Sequence, residues 1–200
     1  APQVASQRLA VSVSPGMGPV LSVMEAWDTL RGKGPRRVLP TAVPALMPNA
    51  PAATVGIELG AHGGIHAPVS ACASGAEAIA YGADLISLGR ADVVVAGGTD
   101  AALHPMTVAA FGAMRALSTR NADPQTASRP FAPDRDGFVL GEGAGLLVLE
   151  RAAHAKARGA RILAVLAGSG VTADAYDVAR PEPSGTEQER ALRLALERAG

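Results

Sequence analysis

The sequence predicts an α/β protein built in layers, and three observations carry that expectation. Short apolar runs of strand length alternate with wider apolar stripes at helical spacing. One run, Ala91-Asp92-Val93-Val94-Val95-Ala96, is continuous and closes on Gly97-Gly98, the pattern of a strand covered on both faces in a parallel sheet. The 200 residues include 23 glycines and only 3% aromatics, so packing has to come from close backbone approach and aliphatic side chains. At 48% hydrophobic and 18% charged, the chain is too apolar for disorder. No apolar run approaches the roughly 18 residues of a membrane span, so no membrane is expected as a partner. Lys and Arg total 18 against 18 Asp and Glu, which removes the overall basic field that nucleic-acid binding leans on.

In chain order, residues 8–14 alternate and are β-prone, and Pro15-Gly16-Met17-Gly18-Pro19 breaks them. Val20, Leu21, Met24, Trp27 and Leu30 then fall at helical spacing, and Gly32, Gly34 and Pro35 end that helix. Residues 36–51 carry Pro40, Pro44, Pro48 and Pro51 and read as an irregular surface segment with one short helix from Asn49. A strand is expected over 65–71, followed by a helix whose wide stripe (Ala76, Ile79, Ala80, Ala83, Leu85, Ile86, Leu88) stops at Gly89. With the strand at 91–96 this makes a βαβ unit. Residues 108–117 read as helical and 118–136 as a long polar loop, a length that usually has a task. Residues 137–140 and 146–149 read as two strands joined tightly through Gly141-Glu142-Gly143-Ala144-Gly145. A helix over 151–158 ends at Gly159, a strand starts at 162–167, and 187–199 has the spacing of a final helix. The boundary between structural halves is expected near Ala160-Arg161.

Cys72 is the single cysteine, so no intrachain disulfide or multi-cysteine zinc cage is available, and a reducing compartment fits. It stands where the strand over 65–71 should hand over to a helix. A thiol at a helix N-terminus gains from the helix dipole and the unpaired N–H groups, which favour the thiolate and can also hold an oxyanion. The same position also suits a buried, inert cysteine in an Ala-rich core. His66, six residues before Cys72, reads as a structural histidine before it reads as a dyad partner, His104 and His154 read the same way, and His62-Gly63-Gly64, with no Gly-x-Ser-x-Gly elbow to accompany it, reads as turn chemistry. Gly141-Glu142-Gly143-Ala144-Gly145 does not open a helix, so a dinucleotide reading fails, and Asp134-Arg135-Asp136-Gly137 lacks the closing glutamate of a calcium loop. No metal site is expected. Arg31, Lys33, Arg36 and Arg37 form the one compact basic cluster.

Several long blocks, in order, carry a resemblance to a known family. Val69-Ser70-Ala71-Cys72-Ala73-Ser74-Gly75-Ala76-Glu77-Ala78-Ile79 resembles the nucleophile motif of the β-ketoacyl-acyl carrier protein synthases, condensing enzymes of the thiolase superfamily. Ala91-Asp92-Val93-Val94-Val95-Ala96-Gly97-Gly98-Thr99 is similar to the strand that follows it. Arg115-Ala116-Leu117-Ser118-Thr119-Arg120-Asn121, Ser128-Arg129-Pro130-Phe131 and Asp134-Arg135-Asp136-Gly137-Phe138-Val139-Leu140-Gly141-Glu142-Gly143-Ala144-Gly145 are similar to further family blocks at matching spacing. The likeness is greatest to the bacterial type II elongating synthase of the actinobacterial kind, with polyketide ketosynthases next.

The resemblance implies a thiolase-like α-β-α-β-α arrangement, incomplete in this chain, with 1–160 supplying most of the first half and 161–200 starting the second. It implies a decarboxylative Claisen condensation in fatty acid or polyketide elongation, with Cys72 taking an acyl group from acyl carrier protein and malonyl-carrier protein supplying the attacking carbanion. The Cys72 backbone N–H would be half of the oxyanion hole. Met17 and Phe111 match family positions that line the acyl pocket. Arg36 and Arg37 form a surface complementary to an acidic carrier protein. No cofactor is implied beyond the phosphopantetheine that carries the substrates. Residues 65–71 resemble the strand through which the family's homodimers pair.

The family's two catalytic histidine motifs, its lysine and its Gly-Phe-Gly loop lie downstream of the matched region and are absent from these residues. A non-catalytic fragment or scaffold is therefore the alternative to an acyltransferase. The missing initiator Met and the end at Gly200 suggest a segment of a longer polypeptide, and the lack of a charged-then-apolar start predicts a cytoplasmic protein without an export signal.

Overall fold

A computed structural model describes residues 4–200. Its four strands are β1 (Leu9–Ser14), β2 (Ile65–His66), β3 (Val93–Asp100) and β4 (Gly143–Glu150), and they form one sheet in the order β2-β1-β3-β4. β1 runs parallel to both neighbours, with Val11 opposite Ile65 and Leu9 opposite Val93. β4 returns antiparallel to β3, with Val93 opposite Glu150. The helices are α1 (Val20–Lys33), α2 (Ala42–Leu46), α3 (Ala50–Leu59), α4 (Ser74–Ser87), α5 (Pro105–Ala113), α6 (Ala152–Ala157) and α7 (Thr186–Ala199).

Two of the helices cover the sheet from opposite sides. On one face Ala52 of α3 packs against Val11 and Val13, with Val55 and Ala61 beside them. On the other, Leu85 of α4 meets Ala10, Val94 and Ala96, with Ile79, Tyr81 and Leu149 around them. This is an α/β/α layering, and it explains β1. Side chains alternate along a strand, so Ala10, Ser12 and Ser14 share the α4 side while Val11 and Val13 share the α3 side. Ser12 and Ser14 are as buried as the valines, and their hydroxyls have no hydrogen-bond partner among the described residues. The alternation in residues 8–14 therefore separates two packed faces, one aliphatic and one of small residues, and neither faces water.

Close backbone contact sets how α4 sits on the sheet. A Cβ on Gly98 would lie 3.0 Å from the Gly75 Cα, so the first turn of α4 rests directly on the backbone of β3.

The structure corrects several expectations. The strand expected over 65–71 pairs only at Ile65–His66, because the chain turns away into the loop that carries Ser70. The expected βαβ unit is not one of adjacent strands: β1 lies between β2 and β3. Residues 137–140 do not pair with β4. Phe138 instead bridges Leu117, donating to the Ala116 carbonyl and accepting from Ser118, so those groups are satisfied against the end of the α5 segment. Residues 162–167 form no ladder, and Leu163 and Val165 are exposed, because no strand lies beside them among the described residues. Within 36–51 the chain forms a 3-10 turn at Pro35–Arg37 and the short α2, beyond the one helix expected from Asn49, which is α3. The helix expected over 108–117 starts earlier, at Pro105, where His104 caps it through Nδ1 accepting the Met106 N–H. No helix is long and apolar enough to cross a membrane among the described residues.

Candidate active site

Three segments converge at the C-terminal ends of β1 and β3. The first is the turn after β1, Pro15-Gly16-Met17; the second is Asp100, the last residue of β3; the third is the 3-10 turn Ala71–Ala73 that runs into α4. The Asp100 carboxylate accepts the Gly16 N–H at 2.7 Å and the Met17 N–H at 3.2 Å. A Cβ on Gly16 would stand 2.8 Å from Asp100 Oδ2 and 3.2 Å from the Ala71 carbonyl oxygen, so glycine is required for the turn to lie against both.

Cys72 occupies the middle of that 3-10 turn, one residue short of the α4 N-cap, and its thiol is free and exposed. The handover from sheet to helix predicted from the sequence is thus real but indirect. Ala71, immediately before the thiol, has φ +51°, a left-handed conformation that costs a non-glycine residue about 1–3 kcal/mol. Its neighbours hold it there. The Ser74 hydroxyl donates to the Ala71 carbonyl at 2.7 Å and accepts the Ser70 N–H at 2.8 Å, and the Ser70 hydroxyl donates to Glu77 at 2.5 Å.

No histidine hydrogen-bonds the thiol among the described residues. His66 packs edge-on against Tyr81 with ring centroids 4.9 Å apart, and burial, with Arg90 nearby, pushes its pKa below the ordinary value. His154 sits on the Glu150 carboxylate beside Arg158, at the foot of β4.

Met17 follows the glycine that touches the Cys72 turn, and it is 45% exposed. Phe111 lies on α5, half-buried, with its ring edge-to-face on Phe138 at 5.0 Å. A cavity of about 560 Å³ opens beside the Met17 turn on the α3 side of the sheet, lined by Val13, Leu21, Val55, Asp100 and Leu146 among others. Arg36 and Arg37 stand exposed on the 3-10 turn after α1 and pair with no carboxylate among the described residues. Neighbouring Arg31 lies over the Trp27 ring at 5.7 Å.

The long loop over 118–136 is closed by its own charges. Asp136 accepts from the Ser118 hydroxyl at 2.6 Å and the Thr119 N–H at 2.9 Å, and it pairs with Arg129 at 3.1 Å. The Ser118 hydroxyl above all, then the Thr119 N–H, lowers the Asp136 carboxyl to about 2. The Asp134-Arg135-Asp136 run is thus a staple across a loop. Asp100 and Ser74 went unnoticed in the sequence: nothing local marks Asp100, whereas Ser74-Gly75-Ala76-Glu77 has the spacing of a capping box and could have been flagged.

Residues 1–155 match the family described as "Beta-ketoacyl synthase, N-terminal domain". The chain belongs to the β-ketoacyl synthase family. Among curated β-ketoacyl synthases, it is 44% identical over all 200 residues to 3-oxoacyl-[acyl-carrier-protein] synthase 2 of Mycobacterium bovis, covering 48% of that protein. It is 45% identical over 195 residues, 98% of this chain, to the Staphylococcus aureus protein of the same name, again covering 48% of it. The chain spans about half the length of the curated relatives it matches. Its backbone superposes on a β-ketoacyl synthase from Burkholderia phymatum STM815 with a TM-score of 0.87 and 37% identity, covering 98% of this chain and 48% of that one. A type II polyketide ketosynthase in complex with its acyl-carrier protein gives a TM-score of 0.92 at 31% identity, over 98% of this chain and 50% of that one. The fold of this β-ketoacyl synthase chain is accordingly the thiolase-like layered α/β fold of the ketosynthases.

Proposed function

We propose that this protein is a β-ketoacyl-acyl carrier protein synthase, an acyltransferase of fatty acid or polyketide chain elongation, with Cys72 as its nucleophile. The observation that carries the reading is the exposed, unpaired Cys72 thiol, held on a turn at the head of α4 in a chain of this family. The Cys72 sulfur attacks the thioester carbonyl of acyl-carrier protein, and the tetrahedral oxyanion collapses with loss of the phosphopantetheine thiolate. The carbanion left when malonyl-carrier protein loses carbon dioxide then attacks the Cys72 thioester; a carbon–carbon bond forms and the thiolate returns to Cys72. Splitting the transfer in this way replaces one difficult step with two easier ones. The Cys72 backbone N–H is one donor for the oxyanion, where charge develops in the transition state.

Met17 and Phe111 form part of the acyl-chain wall: a flexible thioether beside the nucleophile turn and a ring steadied by Phe138 suit an aliphatic tail. Arg36 and Arg37 dock the carrier protein, and a ketosynthase of the same fold bound to its carrier protein supports that partner. No cofactor or metal takes part beyond the substrates' phosphopantetheine. The protein pairs as a homodimer along the open side of β2, the edge strand of the sheet, and works in the cytoplasm. Residues 1–160 belong to the first thiolase-like half and 161–200 open the second.

Incubating the purified protein with an acyl-carrier-protein thioester and weighing it intact tests the reading. One acyl increment, abolished by Cys72→Ala, is expected. An unmodified parent mass sinks the acyltransferase and leaves the non-catalytic scaffold.

A further inference from the structure

Ser74 is 1% exposed, and its hydroxyl spends both of its hydrogen bonds on the turn that carries the thiol. Cys72 itself is exposed and, among the described residues, held by no side-chain partner, so the place of its sulfur and of its backbone N–H is set by the turn. That turn contains one conformation that an alanine seldom adopts, φ +51° at Ala71. The Ser74 hydroxyl bridges the N–H before it and the carbonyl after it, on Ser70 and Ala71, and so clasps the left-handed residue from both sides. The clasp is anchored twice over. Ser70 is also tied to Glu77 one turn further along α4, and Gly75, next to Ser74, rests on the backbone of Gly98 in β3. The Ser74 side chain reaches back across the start of α4, past the N-cap Ala73, to make both bonds.

Resting on the assignment of Cys72 as nucleophile, we propose that Ser74 is the positioning residue of this site, its hydroxyl locking Ala71 in the left-handed conformation that presents the Cys72 thiol and N–H to the acyl thioester. Glu77 completes the lock through Ser70. Neither side chain touches substrate. Their effect is therefore on the rate of acyl transfer and not on the affinity for the carrier protein.

The test compares Ser74→Ala, Ala71→Gly and the double variant in the full natural polypeptide, following the rate of Cys72 acylation by an acyl-carrier-protein thioester and backbone amide exchange over residues 68–73. Ser74→Ala is expected to slow acylation at least tenfold with KM for the carrier protein little changed, and to speed exchange in 68–73. Glycine takes a positive φ without penalty, so adding Ala71→Gly to Ser74→Ala should recover at least threefold of the rate, a rescue that general loss of folding does not allow. Acylation of Ser74→Ala within twofold of the parent, or a loss that Ala71→Gly leaves untouched, overturns the proposal. If the parent is not acylated, the synthase reading fails by itself. Exchange over 68–73 then decides the clasp: faster in Ser74→Ala upholds it and unchanged overturns it.

Discussion

Arg36 and Arg37 sit side by side on a single 3-10 turn, exposed and paired with no carboxylate among the described residues, so their charge is directed outward. Exposed charges of this kind act on encounter more than on stability, since surface pairs contribute little and salt screens them. Replacing both, Arg36→Glu with Arg37→Glu, is expected to raise KM for an acyl-carrier protein about tenfold while leaving turnover of a small acyl-pantetheine thioester unchanged. Steady-state kinetics on the two donors checks it, and equal losses on both would remove the docking role. Cys72 was legible as a candidate because a lone cysteine between a strand pattern and a helical stripe is a local signal. Asp100 was not. Its role depends on the N–H groups of Gly16 and Met17, more than eighty residues earlier, and no spacing rule links the two.

At the level of elements, the loop over 118–136 is held by a carboxylate whose folded pKa lies near 2, against about 3.9 in an unfolded chain. A carboxyl depressed by folding stabilises the folded state fully above its unfolded value and loses that contribution as pH falls toward the folded one. The difference in urea midpoint between the parent and Asp136→Asn is therefore expected to be present above about pH 4 and to close by about pH 2. A difference independent of pH would show that the charge of Asp136 is not what staples the loop. Helices α1, α4 and α7 were foreseen to within a few residues, since their apolar spacing and terminal glycines are local. Strand pairing was read less well. The apolar stretches at 137–140 and 162–167 look like β4 in sequence, but a strand exists only where another backbone lies alongside, and that partner is not written in the segment itself.

Across the whole molecule, the sheet is covered unevenly. β1 and β3 are enclosed, yet on β4 Leu147 is 52% and Val148 66% exposed, and Leu192 and Leu196 of α7 are about as open at 69% and 72%. Exposed apolar strands of this kind are association sites. The isolated segment 1–200 is therefore expected to self-associate and bind a hydrophobic dye at micromolar concentration. Light scattering after size exclusion checks this, a dispersed monomer without dye binding being the contrary result. The layered class was readable from composition and the run at 91–96, whereas the antiparallel return of β4 was not, because direction in a sheet depends on the path of the intervening chain. The strand order has one more consequence, for synthesis. β1 is made first but lies in the middle, and its principal neighbour begins at Val93, so the ribosome must deliver about half of this segment before the central ladder can close. Until then the edge of β1 that β3 will pair waits without its ladder, and a nascent chain with such distant pairings folds slowly and depends on being shielded in the interval.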